Sequence, residues 1–267
     1  MTVTARIEDI TGQSVRSLRL LEGGDLGGAV QVTLADGTLL VAKDGPLVEV
    51  EADMLRAIAA TGAPIPLIHH AEPGLLVMDY VAAADPVAWE GLAEMLAVLH
   101  APGTPVGARY GWDVDYAFGK VTIVNTGSDD WRHFWGQHRL LCHVPHVAPD
   151  VARRLEALAK RLPDLLPAAP PAALLHGDLW GGNMLFDKDR LAAFIDPASY
   201  RGDREVDVAM LAWVENPPQR FFDALDLAPG WHERYPVYAL WPALVHLRLF
   251  GDGYRSSVTA ALDALGA

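Results

Sequence analysis

Between residues 15 and 43, short apolar runs alternate with turn formers: VRSLRLL, GGDLGG, AVQVTL, Asp36-Gly37 and TLLVAK. An Asp-Gly pair between aliphatic and β-branched runs signals a tight hairpin, because both central positions of such a turn need positive φ. Three antiparallel strands are predicted. The period then changes: Val50, Met54 and Ile58 recur at helical spacing, and Gly62 with Pro64 supplies a stop. After this helix, LIHH and GLLVMDYV read as two more strands. The expectation is a small N-terminal lobe, residues 1–80, built as an antiparallel sheet carrying a single helix.

Past AAADP the pattern is helical for most of the remaining length. Leu92, Met95, Leu96 and Leu99 keep one stripe, and Val151, Leu155, Leu158 and Leu162 keep another. ALL before His176, MLF after Asn183 and AAFI before Asp196 look like small strands among helices, and PDLLPAAPPAA at 163–173 reads as a loop. Residues 81–267 are therefore expected to form a larger, mainly helical C-terminal lobe. The fold class is α+β in two lobes.

The 267 residues are 51% hydrophobic and 21% charged, which describes a globular chain able to bury a core. Lys and Arg number 21 against 34 Asp and Glu, a net −13, with no basic stripe. That argues against nucleic acid as a partner, since neutralising phosphates takes clustered Lys and Arg. The acidity suits a cationic small substrate, but plain solubility explains it as well. Cys142 is the single cysteine, so no intrachain disulfide can form and a cytoplasmic protein is expected. The opening MTVTARIEDI lacks the basic and apolar regions of a secretory signal, and no run approaches the ~20 apolar residues of a membrane span. No membrane partner is expected, and the working state is taken as a monomer.

Candidate chemistry concentrates in LLHGDLWGGNMLF, residues 174–186, and the FIDPASYRGDREVDVAM that follows. Asp178, Asn183 and Asp196 fall on loops that end short apolar strands, where a rigid scaffold can present reactive groups. Phosphoryl transfer from ATP needs a carboxylate to orient and deprotonate the acceptor hydroxyl, and oxygen ligands to hold magnesium on the phosphates. Asp178 fits the first role. Asn183, five residues on, reproduces the Asp-x-x-x-x-Asn interval of a kinase catalytic loop, and Asp196 supplies a charged metal ligand. His176 and Gly177 shape the turn that aims Asp178.

The partners of such a site are sought upstream. Lys43 ends TLLVAK, the strand position from which a lysine reaches the α- and β-phosphates. Its carboxylate partner must come from the next helix. Glu51 shares a face with Met54, Leu55 and Ile58, whereas Glu49 shares one with Asp53 and Arg56, so Glu51 is the inward choice. Gly24 and Gly27 in LEGGDLGGA would let backbone N–H groups approach phosphate oxygens. Met78, Asp79, Tyr80 and Val81 would form the hinge that hydrogen-bonds adenine. Cys142, His143 and His146 do not make a metal site, because Pro145 breaks their alignment and a fourth ligand is missing.

Three strings carry a resemblance: HGDLWGGN at 176–183, IDPASYRGDREVDVAM at 195–210 and GWHERYPVYALWPALVHLRLFGDGY at 230–254. With them the chain resembles the fructosamine kinase (ketosamine 3-kinase) family, a branch of the aminoglycoside-phosphotransferase-like, protein-kinase-like fold. The resemblance implies ATP and Mg2+, and transfer of the γ-phosphoryl group to a hydroxyl of an amine-linked sugar, typically on its third carbon. It makes Asp178 the base, Asn183 and Asp196 the magnesium ligands, and Lys43 with Glu51 the phosphate anchor. Asp207 would tether the catalytic loop, with Arg204 and Glu205 packed nearby. The stretch WDVDYAFGKVTIVN, 112–125, departs from the family pattern: Tyr116, Phe118 and Ile123 stand where an Asn, an Ile and a Gln are usual, while Gly119 and Asn125 remain. Gly181 stands where serine is frequent. The acceptor side is expected to use Asp115, Tyr116, Asn125, Trp180 and Trp231. Competing readings keep the chemistry but change the acceptor to an aminoglycoside, an aminoalcohol or a free sugar, or make the chain a nucleotide-binding pseudokinase. The intact Lys43, Asp178, Asn183 and Asp196 argue against the last.

Overall fold

The structure is a computed structural model describing residues 2–21, 28–82, 85–102 and 109–267. In chain order it contains α1 (Val3–Thr11), β1 (Val15–Leu20), β2 (Ala29–Leu34), β3 (Leu39–Lys43), α2 (Val48–Thr61), β4 (Ile68–Glu72), β5 (Leu75–Asp79) and α3 (Trp89–Leu99). A ribbon of β6 (Tyr116–Phe118) and β7 (Val121–Ile123) leads into α4 (Trp131–Trp135), a π-helical turn Gly136–Leu140, a 3₁₀ segment Leu141–His146 and α5 (Pro149–Leu165). Then come β8 (Ala172–Leu174), β9 (Met184–Asp187), β10 (Arg190–Phe194), β11 (Arg201–Asp203), α6 (Glu205–Val214), α7 (Gln219–Ala224), α8 (Trp231–Phe250) and α9 (Arg255–Ala264). The class is α+β, as expected. No helix among the described residues is long and apolar enough to cross a membrane.

Two compact units divide the chain: Met1–Gly91 with Gly181–Pro197, and Leu92–Trp180 with Ala198–Ala267. The boundary expected at residue 80 thus falls at 91, and the β9–β10 hairpin joins the N-terminal segment. Backbone bonds explain the assignment: Phe194 N–H donates to Pro64 O at 2.9 Å and Asp85 N–H to Phe186 O at 3.2 Å.

The first unit holds a five-stranded antiparallel sheet in the order β1-β2-β3-β5-β4. The β2–β3 connection runs Ala35-Asp36-Gly37-Thr38, closed by Gly37 N–H to Leu34 O and Leu34 N–H to Thr38 O, and only Gly37, at φ +93°, takes the positive φ expected of both Asp36 and Gly37. Side chains alternate across a sheet, so each strand feeds two cores. Val32, Leu34, Leu40, Ala42, Leu75 and Val77 meet Ile7 of α1 on one face. Val41, Leu76 and Met78 meet Val48, Ala52 and Leu55 of α2 on the other. The expected single helix is therefore corrected to two. Thr2 caps α1 by accepting Ala5 N–H, Gly12 ends it at φ +66°, and only Ile7 is fully buried, a stripe too short to stand out in the sequence.

The second unit is mainly helical. Its core gathers Tyr110, Trp131, Phe134, Trp135, Tyr200, Tyr238 and Trp241 with the predicted α5 stripe of Val151, Leu155, Leu158 and Leu162. Buried Trp131 donates Nε1–H to Tyr238 Oη at 2.9 Å, and the Tyr238 hydroxyl donates to Asp203 at 2.7 Å. The Trp131 indole N–H and the Tyr238 hydroxyl are thereby paired, which avoids their desolvation cost. The expected loop at 163–173 is shorter than predicted, because α5 runs through Leu165 and β8 begins at Ala172. β11, polar in sequence, pairs antiparallel with β8.

Candidate active site

In the first unit, β3 and α2 bring Lys43 and Glu51 together. Lys43 Nζ lies 2.6 Å from Glu51 Oε1 and 2.7 Å from Asp196 Oδ1. Glu51 is 5% exposed and takes the inward face expected of it, while Glu49 faces solvent. Burial works against the Lys43 charge, but Glu51 and Asp196 outweigh it and hold its pKa above the usual lysine value. Burial pushes the Glu51 carboxyl up, opposed by Lys43 and reinforced by the Asp196 charge. Lys43 is therefore a fixed cation flanked by two carboxylates.

The β9–β10 hairpin sets the other residues of this unit. Asn183 ends a 3₁₀ turn, Gly181–Asn183, and its carbonyl accepts Ile195 N–H at 3.1 Å. Asn183 and Asp196 therefore leave the same end of the hairpin. Asp196 has φ +53°, a left-handed conformation that costs a non-glycine residue ~1–3 kcal/mol and clusters at functional sites. An amide oxygen and a carboxylate are together the kind of donor set a hard cation takes along with phosphate oxygens. Among the described residues no group of three or more His, Cys, Asp or Glu could hold a metal.

In the second unit, Asp178 lies on a loop tied from below. Asp207, fully buried, accepts His176 N–H at 2.8 Å and Gly177 N–H at 3.0 Å, and its Oδ2 meets His100 Nε2 at 2.9 Å. Burial alone would raise the Asp207 pKa, but His100, His176 and the Gly177 N–H together hold it below the usual carboxylate value. Gly177 is at φ +82°, and a Cβ there would lie 2.0 Å from Ala198 O, so only glycine fits. Ala198 N–H donates back to His176 O at 2.9 Å. The tether implied for Asp207 is thus present in detail. Glu205 forms a two-bond pair with Arg234 at 2.6 and 2.7 Å.

Of the residues expected on the acceptor side, Asp115 is exposed and accepts Asn125 N–H at 2.7 Å, closing the ribbon. Tyr116 is half-buried and edge-on to Phe118. Trp180 is half-buried two residues after Asp178. Trp231 stacks on Phe222 with centroids 5.0 Å apart. Asn125 needs correction: it is 0% exposed, bonded to Val114 O and to Arg139, and it supports the ribbon from inside instead of offering a surface. Of the residues expected to form the hinge, Met78 is in the core, Asp79 N–H donates to Leu67 O and Tyr80 N–H to Leu39 O, and Val81 follows them. Gly24 and Gly27 lie outside the described residues.

Comparison with known proteins gives a consistent picture. A family model described as fructosamine kinase matches residues 1–266. A probable ketoamine kinase of Synechocystis is 30% identical over 286 residues, covering 98% of this chain and 95% of that protein. A solved structure from Thermobifida fusca, described as a candidate fructosamine-3-kinase, superposes with TM-score 0.88 at 32% identity and covers 100% and 99% of the two chains. An aminoglycoside phosphotransferase solved with ADP and hygromycin B shares the fold at TM-score 0.65 and 18% identity, covering 99% of this chain and 96% of that one.

Proposed function

This chain belongs to the fructosamine kinase family, and from that premise we propose that it transfers the γ-phosphoryl group of ATP to a hydroxyl, O3, of the sugar in a ketosamine. The observation that carries the acceptor class is the family match across residues 1–266, since the phosphotransferase fold by itself is shared with enzymes of other acceptors. Phosphorylated there, the sugar would leave the amine more readily, so the reaction is of the deglycating type.

The residues take roles that their settings support. Lys43, held protonated by Glu51 and Asp196, anchors the α- and β-phosphates, and Glu51 fixes the direction of its side chain. Asn183 and Asp196 would hold Mg2+, which when bound offsets charge on the phosphate oxygens. The Asp178 carboxylate orients the acceptor hydroxyl and takes its proton as the oxygen bonds to phosphorus and ADP departs. The rigid Asp207–His176–Gly177 base keeps Asp178 in line. Val81 and its hinge neighbours receive adenine, and Asp115, Tyr116, Trp180 and Trp231 belong to the acceptor side. We place the enzyme in the cytoplasm as a monomer acting on amine-linked sugars. ADP release with ATP, magnesium and a panel of fructosyl-lysine, ribulosyl-lysine, an aminoglycoside and choline tests the reading: turnover confined to the ketosamines supports it, and turnover on another acceptor alone overturns it.

A further inference from the structure

The second unit buries an arginine that pairs with no carboxylate among the described residues. Arg139 is 0% exposed and sits in the π-helical turn Gly136–Leu140. Its Nη1 donates to Val124 O at 2.7 Å and His138 O at 3.0 Å, and its Nη2 to Asn125 Oδ1 at 2.8 Å. The guanidinium carbon lies 4.2 Å from the Tyr200 ring centroid, 4.8 Å from Phe134 and 4.9 Å from Trp241. Nε has no hydrogen-bond partner among the described residues. Burying an ion this way is costly, and a well-packed apolar side chain of similar volume is often neutral or stabilising in its place. Fold stability alone does not account for the choice.

What the guanidinium joins does account for it. On one side are Val124 and Asn125, which close the β6–β7 ribbon: Asn125 N–H reaches Asp115, Asn125 Nδ2 reaches Val114 O, and Trp112 N–H reaches Asn125 O. On the other is Tyr200, whose carbonyl accepts Leu175 N–H, one residue ahead of the His176 turn that aims Asp178. A flat, five-donor fork can bond the first and stack on the second at once, and an ammonium cannot. A π-helical turn at this place is also a frequent mark of function.

We propose that Arg139 is a positioning residue that sets the β6–β7 ribbon against the scaffold of the Asp178 loop, and so governs engagement of the acceptor and not of the nucleotide. All its bonding partners lie in the unit that carries Asp178, and Lys43 lies in the other. The kinetic part rests on the ketosamine reading above, and the structural part does not.

The test uses Arg139→Met and Arg139→Lys in the full chain. Hydrogen exchange is expected to rise in both 112–125 and 174–180 while β2 and β3 stay as protected as in the parent, with ADP affinity unchanged. With fructosyl-lysine, kcat/KM is expected to fall by roughly 10²-fold, the usual scale for displacement of reacting groups by about 1 Å. Unchanged exchange in both segments overturns the proposal whether or not the parent phosphorylates a ketosamine. A loss of activity matched by equal loosening of all segments and a lowered Tm overturns it too, since that is a merely structural residue. If Arg139→Met does not fold, Arg139→Lys, which keeps the charge and loses the fork, carries the same comparison. A parent inactive on every ketosamine, with the two segments still loosened in the variants, defeats the substrate assignment and leaves the positioning role standing.

Discussion

His143→Phe isolates one buried imidazole. The ring is fully enclosed, edge-on to Trp241 at 5.0 Å, and neither nitrogen has a hydrogen-bond partner among the described residues. Burial first, then the positive charges of Arg248, Arg139 and His146, push its pKa from 6.5 down to about 3. The folded protein keeps the ring neutral in the interval where the unfolded chain protonates it. Unfolded molecules therefore bind more protons between pH 6.5 and about 3, and stability falls as pH drops through that window. A span of about 3.5 pH units at 1.36 kcal/mol per unit amounts to about 5 kcal/mol. Phenylalanine fills similar space beside Trp241 and cannot titrate. Asp203 acts in the opposite sense: burial and Glu205 raise its pKa from 3.8 to about 6, so its contribution is lost as pH rises across that interval. It is common to both proteins and cancels in their difference. Urea unfolding from about pH 7 to about pH 4 is expected to give a variant whose stability falls less steeply, by up to about 1.4 kcal/mol per pH unit below pH 6. Parallel pH profiles for the two proteins refute the reasoning.

Other perturbations test the site piece by piece. Lys43→Met removes the cation between Glu51 and Asp196 and is expected to lower turnover about 10²- to 10³-fold with a raised KM for ATP; steady-state kinetics with unchanged constants contradict its role. Asp207→Asn puts an amide against the His176 and Gly177 N–H groups and breaks the buried pair with His100, an expected loss of about 3–5 kcal/mol read by denaturant unfolding. Gly177→Ala forces a Cβ onto Ala198 O and is expected to cut turnover about 10²-fold with ADP affinity intact, which calorimetry and kinetics together check. Asp178→Asn is expected to bind ATP normally and turn over about 10²- to 10⁴-fold more slowly; near-parent turnover removes it from the role of base.

The parts of the fold that follow from local rules were legible in the sequence. The Asp36-Gly37 pair marks the β2–β3 hairpin, and the helical spacing around Met54 and Ile58 puts Glu51, and not Glu49, on the inward face. The parts that depend on long-range partners were not. α1 offers one fully buried residue, Ile7, whose burial comes from a sheet face formed far along the chain. β11 reads Arg-Gly-Asp and becomes a strand because β8 pairs with it. Asn125 looked like a polar contact for substrate, and only the fold shows that Arg139 claims its oxygen from inside. Arg139 itself carries no local signal, since a lone arginine between a histidine and a leucine is an ordinary surface pattern until three aromatic rings close over it. The −13 charge says nothing about the Lys43–Glu51 pair, which depends on two particular side chains meeting.

The most direct measurement is phosphorus and carbon NMR of the product formed from synthetic fructosyl-lysine, ATP and magnesium. The account predicts one phosphate ester, on O3 of the sugar, formed about 10²- to 10⁴-fold more slowly with Asp178→Asn. ATP binding without any phosphorylated ketosamine, or a phosphate carried on a different class of acceptor, would contradict it.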